Sequence, residues 1–291
     1  MAKFIELCGS PGVGKSTIFR ELEKRIKKHY NCSTASTANP MGNEDLPAFG
    51  KRVIASIRGG KKYLNSRLET DYEFIRRIYK EVKNGRNHVD PEVLKAAGDR
   101  FVAQYPEYVN ACWGNIFYKQ SKSANGLDLR FEKTEWIYRI IKKVQVIKEN
   151  KTHKTIIIDE GLVNMIDRGL YKSDDPIEEE QEIYSLLNVM PLPDALVYIH
   201  TDVRENADRL LTREVLRDMH KGLAHNELME YTQRCRERIM ATIKYLEFKG
   251  VPVLYIDATK PIKYNAQAII DFASNLKFKE ASVAAKASVL Q

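Results

Sequence analysis

The chain has 291 residues, of which 43% are hydrophobic and 30% are charged. This composition is typical of a globular protein and excludes a mainly disordered chain, which would be poorer in apolar residues. The 47 Lys and Arg residues outnumber the 39 Asp and Glu residues, so the formal net charge is +8. The charge favours an anionic partner but does not distinguish a nucleotide from a polymer or a lipid surface.

Membrane and metal signals are weak along the whole sequence. No apolar run approaches the ~20 residues of a membrane-spanning helix, and the N-terminal apolar stretch is too short for a signal peptide. We therefore expect a cytoplasmic protein without a membrane partner. The cysteines form no C-x-x-C pair, which favours reduced thiols over a zinc site. They are Cys8, Cys32, Cys112 and Cys235.

Short apolar runs bounded by loop residues predict five strands. In chain order they are Lys3–Cys8, Cys32–Thr37 (the weakest), Thr155–Asp159, Ala195–His200 and Val251–Asp257. Apolar residues between several of these runs recur every three to four positions, as in amphipathic helices. Strands that alternate with helices imply an α/β fold with a mostly parallel sheet, in which ligands bind at the carboxyl ends of the strands.

The long stretch between the second and third strands has a helical pattern. Its predicted helices are Tyr63–Lys83, Pro91–Gln104, Glu107–Ser121 and Phe131–Asn150. We interpret residues 45–150, approximately, as a helical insertion that packs over the active edge of the sheet. On this interpretation residues 1–278 form a single domain, and residues 279–291 form a flexible C-terminal tail.

A glycine-rich motif follows the first predicted strand and fits G-x-x-x-x-G-K-[ST] in full. It reads Gly9-Ser10-Pro11-Gly12-Val13-Gly14-Lys15-Ser16-Thr17. Such a loop wraps its backbone N–H groups around phosphate oxygens, and the following helix adds its positive N-terminus. We expect Lys15 to bridge the β- and γ-phosphates of ATP and Ser16 to place its hydroxyl on Mg²⁺. The alternative is a chance glycine-rich turn.

Two carboxylates follow the three isoleucines of the third predicted strand. Asp159 is expected to hold Mg²⁺ through water, and Glu160 to act as the base or to bind the substrate. The alternative for Asp159 is that it caps the next helix. Asp257 also ends a strand, and there we favour a turn residue.

Three arginines recur every four residues in the helix predicted after the fourth strand: Arg209, Arg213 and Arg217. Asp202 and Glu205 predict the start of this helix, and the spacing places the arginines on one helix face. We interpret the first two as cations that neutralise charge on a transferred phosphoryl group. The alternative is a solvated surface on which Asp208 and Glu214 pair with the arginines.

Together these segments resemble the P-loop kinases of the nucleoside and nucleoside-monophosphate type, especially thymidylate kinase and the deoxynucleoside kinases. The matching segments are GSPGVGKST at 9–17, IIIDEG at 156–161, VYIHTDVRENADRLLTRE at 197–214 and VPVLYIDAT at 251–259. The resemblance implies a three-layer P-loop fold, ATP with Mg²⁺, and Arg209 and Arg213 as an arginine pair at a lid. It also implies a nucleotide and a small acceptor as ligands, with a homodimer as an option.

The sequence departs from that family on the acceptor side. The substrate loop, at Asn39-Pro40-Met41-Gly42, lacks the usual acidic residue before proline. Asp159-Glu160-Gly161 replaces the expected Asp-Arg or Glu-Arg-Ser segment. Residues considered for the acceptor pocket are Arg52, Arg58, Lys61, Lys62, Trp113, Phe117, Tyr118, Trp136 and Arg168. For the basic stretch a solvated loop is an equal interpretation, and for the aromatic side chains the protein core is the favoured one.

These observations favour one function and leave two alternatives. We expect an ATP-dependent phosphotransferase that moves the γ-phosphoryl group to a small acceptor, with a nucleoside or nucleotide first. The alternatives are an NTPase switch that acts on a protein partner and a kinase for polynucleotides or other small molecules. No nucleic-acid-binding motif accompanies the positive charge, so nucleic acid is not the expected partner, although it stays open.

Overall fold

The structure is a computed structural model that describes residues 3–26, 32–34, 91–118, 130–149, 155–167, 175–213 and 222–276. Within these ranges five strands form one parallel sheet in the order β2-β3-β1-β4-β5. Their bounds are β1 Lys3–Cys8, β2 Cys32–Thr34, β3 Thr155–Ile158, β4 Ala195–His200 and β5 Val253–Asp257. The helix predicted at Tyr63–Lys83, the segment Asn39–Gly42 and the tail at 279–291 lie outside the described residues.

The predicted strands are confirmed, with differences at their ends. β1 and β4 have the predicted bounds, whereas the described part of β2 ends at Thr34 and β3 ends at Ile158. β5 begins two residues later than predicted, at Val253. The preceding residue is Pro252, which has no N–H group for the strand ladder and contributes only its carbonyl, to the N–H of Leu196 at 2.9 Å.

Nine helices accompany the sheet in the described residues. They are α1 Lys15–Arg25, α2 Pro91–Gln104, α3 Pro106–Tyr118, α4 Arg130–Glu149, α5 Val163–Asp167, α6 Pro176–Val189, α7 Val203–Leu211, α8 His225–Phe248 and α9 Ile262–Asn275. Three of the helices predicted between the second and third strands are confirmed as α2, α3 and α4, with ends within three residues of the prediction.

The helices cover both faces of the sheet, so the architecture is the predicted three-layer α/β sandwich. Alternate residues of β1 point to opposite faces. Phe4 and Cys8 share a core with α2 to α6 and α8. Ile5 and Leu7 share a second core with α1 and α9. The described helices of the insertion therefore build the layer on one face of the sheet, while the single-domain organisation stays a prediction.

The strand order creates a crevice at the carboxyl edge of the sheet. After β1 the chain passes through α1 to β2, which lies on the far side of β3. After β3 the chain passes to β4, which lies on the opposite side of β1. Adjacent parallel strands whose connections leave in opposite directions open a crevice at their carboxyl ends, where α/β proteins bind ligands. The loop after β1 and the turn after β3 therefore line the same crevice.

No helix among the described residues is long and apolar enough to span a bilayer.

α6 and α8 are joined by a buried ion pair. Arg238 donates from Nε to Glu179 Oε1 at 2.6 Å and from its Nη2 to Oε2 at 3.1 Å. Both residues are at most 9% exposed. This bidentate geometry satisfies both carboxylate oxygens away from water.

The ion pair yields a stability prediction. Arg238→Met leaves the Glu179 carboxylate buried without its partner, and should lower the free energy of unfolding by about 3–5 kcal/mol in urea unfolding experiments. Adding Glu179→Leu should recover most of this loss, because an apolar pair needs no charge compensation. A loss below about 1 kcal/mol in the single variant, as for an exposed pair, would contradict the prediction.

Candidate phosphate-binding and catalytic site

The glycine-rich loop, residues 9–14, has a backbone that only glycine adopts readily at three positions. Gly9, Gly12 and Gly14 have φ angles of 151°, 92° and 102°. The loop also lies close to α7, since a Cβ atom at Gly12 would come within 2.7 Å of the Leu210 side chain. The motif predicted from sequence is therefore a loop whose shape favours glycine at these three positions and whose packing requires glycine at residue 12.

The loop leads directly into the N-terminus of α1. Gly14 precedes the helix, no described side chain caps its first turn, and that turn contains no acidic residue. The positive end of the helix dipole is therefore not neutralised by a carboxylate of the turn itself. Backbone N–H groups and a positive helix end are the features that bind phosphate.

Lys15 bends back over the loop. Its Nζ donates to the carbonyl oxygen of Gly9 and, at 3.2 Å, to that of Ser10. These contacts hold the ammonium group at the loop, where the sequence predicts it. Ser16 and Thr17 are exposed in the first turn of α1. Lys15 and Ser16 therefore both lie where the glycine-rich loop meets α1.

The acidic pair lies beside this loop. Asp159 and Glu160 follow β3, and the register pairs Ile158, the last residue of β3, with Glu6 of β1. Neighbouring strands are ~4.8 Å apart, so the turn after Ile158 begins next to the end of β1. Both carboxylates are half-buried. Lys143 of α4 has its Nζ 3.6 Å from Asp159 Oδ1, so Asp159 already lies beside a cation.

The oxygen atoms of this crevice suit Mg²⁺ in chemical type. Ser16 offers a hydroxyl and Asp159 a carboxylate, and Mg²⁺ takes one or two protein oxygens while keeping waters and substrate phosphates as its other ligands. Among the described residues no group of three or more His, Cys, Asp or Glu side chains could hold a metal ion.

Arg209 joins three elements at the same edge of the sheet. Its guanidinium donates to the carbonyl oxygen of Val13 in the glycine-rich loop at 3.3 Å and to that of Ala258, after β5, also at 3.3 Å. It also donates to Glu205 Oε1 at 2.6 Å. Glu205 in turn accepts from the Thr201 hydroxyl at 2.8 Å. This network fixes the guanidinium beside the loop.

The predicted position of Arg213 on the face of this helix is wrong. α7 ends at Leu211, with Thr212 as its capping residue, so Arg213 lies beyond the helix rather than on its face. The Arg213 side chain is exposed. Asp208, which the alternative interpretation pairs with an arginine, bonds to His225 at 2.8 Å. Arg217 lies outside the described residues.

Asp257 forms a turn after β5, as the sequence predicts. Asp257 Oδ1 accepts from the Thr259 hydroxyl at 2.7 Å and from its N–H at 2.9 Å. These hydrogen bonds favour the ionised carboxylate and hold the pKa of Asp257 below its usual value. Asp257 is therefore the predicted turn residue, and its turn sets the position of the Ala258 carbonyl against Arg209.

Sequence reasoning missed Glu6, a fully buried carboxylate in the middle of β1. It accepts the N–H groups of Val163 at 3.0 Å and Asn164 at 2.7 Å, at the start of α5. The alternative role for Asp159 as the cap of this helix is therefore wrong, because Glu6 accepts these N–H groups. The available signal was the one acidic residue inside the run KFIELC.

Of the residues proposed for the acceptor pocket, some lie against the hydrophobic core and the others lie outside the described residues. Trp113 and Trp136 pack against the hydrophobic core, as the favoured interpretation expects. The side chains of Phe117 and Tyr118 and all of Arg168 lie outside the described residues, as does the basic stretch: Arg52, Arg58, Lys61 and Lys62.

Comparison with protein-family models and with curated proteins found no match. Among solved structures, deoxyadenosine kinase from M. mycoides with bound dATP is 15% identical, with a TM-score of 0.42, over 92% of this chain and 98% of that one. The same kinase with the products dCMP and a flexible dCDP bound is 14% identical, with a TM-score of 0.44, over 94% and 100%. Shikimate kinase from Bacteroides thetaiotaomicron is 11% identical, with a TM-score of 0.38, over 93% and 97%. Since these TM-scores lie below 0.5, we base the functional assignment on the site alone.

Glu6 yields a prediction for stability against pH. Burial raises its pKa from 4.5 to about 7, although the hydrogen bonds from Asn164, Val163 and Gly161 oppose this effect. Between these two pH values the folded chain keeps a proton that the unfolded chain has released, so stability falls as the pH rises. At ~1.4 kcal/mol for each pH unit, the fall from this one group is about 3 kcal/mol and levels off above about pH 7.

Glu6→Gln isolates this effect, because glutamine has no proton to release. The wild-type free energy of unfolding minus that of the variant, from urea titrations across this pH range, should decrease toward neutral pH. Burial also raises the pKa of the neighbouring Tyr108 well above its usual value and that of Cys112 to about 12, so neither group titrates in this range. A difference that stays flat or increases with pH would contradict the prediction.

Proposed function

We propose that this protein is a kinase that transfers the γ-phosphoryl group of ATP to a small acceptor, with a nucleoside or nucleotide as the first candidate. The observation that carries the proposal is the position of Arg209, whose guanidinium is bonded to the glycine-rich loop and to the turn after β5. This arrangement supplies a cation from the same chain beside the glycine-rich loop. An NTPase switch that obtains its charge-neutralising arginine from a partner would not need it.

The cations of the crevice would stabilise charge on the transferred group. Arg209 donates to the Glu205 carboxylate as well as to backbone carbonyls. Lys15 and Arg209 thus both donate to backbone carbonyls, which are neutral acceptors. Phosphate oxygens carry negative charge and form stronger hydrogen bonds with the same donors. Arg213 would be a second arginine at this site, as the family resemblance implies.

Phosphoryl transfer also needs a group that takes up the proton of the attacking hydroxyl. The hydroxyl oxygen of the acceptor forms a bond to the γ-phosphorus while the bond from that phosphorus to the bridging oxygen of ADP breaks. The hydroxyl proton passes to a carboxylate, for which Glu160 and Asp159 are the candidates beside the loop. Catalysis of this kind depends mainly on position and electrostatics.

Ser16 and Asp159 would hold Mg²⁺ together with the phosphates. When bound, the ion neutralises negative charge on the β- and γ-phosphates. Glycine-rich loop residues 9–14 would bind those phosphates through backbone N–H groups, and Lys15 would contact their oxygens.

The first test is a screen for ATP consumption with nucleosides, nucleotides, sugars and short oligonucleotides as acceptors. We expect acceptor-dependent release of ADP, and Lys15→Ala should reduce kcat by at least ~100-fold because it removes a charge that stabilises the transition state. Lys24→Ala, an exposed lysine of the same helix, is the matched control and should keep wild-type turnover.

Near-wild-type turnover in Lys15→Ala would overturn the assignment of the loop. ATP hydrolysis that proceeds equally without any acceptor would favour the NTPase switch instead. Transfer to oligonucleotides alone would identify a polynucleotide kinase.

A second test concerns Arg209. Arg209→Met should lower kcat on the order of 100-fold, while the affinity for ATP measured by isothermal titration calorimetry changes little, because the arginine acts on charge that develops in the transition state. Arg204→Met, an exposed arginine of the same helix, is the matched control. Equal losses in the two variants would contradict this role.

A further inference from the structure

Glu6 makes a set of hydrogen bonds that phosphate binding does not explain. Its side chain is fully buried beneath the carboxyl edge of the sheet. Oε1 accepts from the N–H of Gly161 at 3.2 Å, and from the N–H and Nδ2 of Asn164 at 2.7 and 2.9 Å. Oε2 accepts from the N–H of Val163 at 3.0 Å. All four donors belong to the segment that directly follows Asp159 and Glu160.

Gly161 shows how closely this segment is held against the carboxylate. A Cβ atom at residue 161 would lie 2.4 Å from Glu6 Oε2, a distance that real side chains do not tolerate. The residue next to the acidic pair must therefore be glycine while Glu6 keeps its position. Since the bond from Gly161 begins one residue after Glu160, it restricts the backbone of the acidic turn directly.

Asn164 connects the same segment to β1 a second time. Its Nδ2 donates to the carbonyl oxygen of Leu7 at 2.7 Å as well as to Glu6. The Asn164 side chain is itself buried. Leu7 is two residues before Gly9, where the glycine-rich loop starts. Glu6 and Asn164 therefore fix the turn after β3 relative to the strand that carries the loop.

We propose that Glu6 is a positioning residue that holds Asp159 and Glu160 in register with the glycine-rich loop. The proposal rests on the proposed function, because it concerns the placement of those carboxylates toward a nucleotide. Binding of a metal ion or reacting group depends on such supporting hydrogen bonds, and loss of one commonly costs 10- to 100-fold in affinity or rate.

An apolar side chain at this position could fill the same volume but could not accept the four hydrogen bonds. Four donors would then be buried without a partner, at a cost for each. The carboxylate satisfies them together, and its two oxygens fix the orientation of the turn as well as its distance from β1. This is the property that distinguishes a positioning residue from simple core packing.

The test compares Glu6→Gln, which keeps the shape of the side chain, with Glu179→Gln, which changes a buried carboxylate of the distant α6–α8 ion pair. The dissociation constant of a fluorescent ATP analogue is measured in EDTA and in Mg²⁺, and kcat is measured with the best acceptor. Thermal unfolding of each variant is recorded so that binding and activity are measured at a temperature at which both variants are folded.

We expect Glu6→Gln to bind the analogue in EDTA within about twofold of wild type, because the glycine-rich loop and Lys15 are unchanged. The increase in affinity that Mg²⁺ produces should fall at least ~10-fold, and kcat should fall by at least the same factor. Glu179→Gln should lose stability but keep both the Mg²⁺ effect and kcat. Asn164→Ala removes the two hydrogen bonds that the Asn164 side chain donates to Glu6 and Leu7. It should lower the Mg²⁺ effect and kcat as Glu6→Gln does, and it replaces Glu6→Gln in the test if that variant does not fold.

Two results would overturn the role of Glu6, and they are distinguishable. If the wild type binds the analogue through Lys15 but Glu6→Gln and Asn164→Ala keep the Mg²⁺ effect and kcat within about twofold, Glu6 only stabilises the fold. If the wild type itself shows neither Lys15-dependent binding nor transfer, the proposed function fails, and the positioning role fails with it.

Discussion

The pairing of β1 with β3 in a parallel sheet is the constraint on which the candidate site depends. The two strands are neighbours, their carboxyl ends lie side by side, and their connections leave in opposite directions. The glycine-rich loop and the acidic turn therefore face the same crevice although 150 residues separate Gly9 from Asp159. β4, on the other side of β1, brings α7 and Arg209 to the same edge.

This arrangement brings several charged side chains to the carboxyl edge of the sheet. Lys15 and Arg209 donate to backbone carbonyls around the loop, and Lys143 lies beside Asp159. Arg209 also donates to the Glu205 carboxylate, so each of these cations lies beside oxygen atoms of the protein itself. Behind the edge, Glu6 places a carboxylate against the backbone N–H groups of the segment after β3. The described cations therefore lie at the edge of the sheet, and the buried anion lies behind it.

Much of the fold was predictable because its signals are local. β1, β4 and α2 have the predicted bounds, since apolar runs and helical periodicity depend only on neighbouring residues. The phosphate motif was equally clear, because its glycines, lysine and hydroxyl residues are contiguous. The extent of α7 was not predictable in this way. Four-residue spacing suggested a helix through Arg217, but the described helix stops at Leu211, where Thr212 ends it.

The sequence by itself determined the strands, the glycine-rich loop with Lys15 and Ser16, and the presence of acidic and arginine residues after later strands. Tertiary structure decided which of these residues meet. It placed Arg209 against Val13 and Ala258, left Arg213 beyond the helix, and gave the capping role of Asp159 to Glu6. The physical reason is that hydrogen bonds between Glu6 and Asn164, 158 residues apart, exist only once β1 and β3 are paired, and no local pattern encodes that pairing.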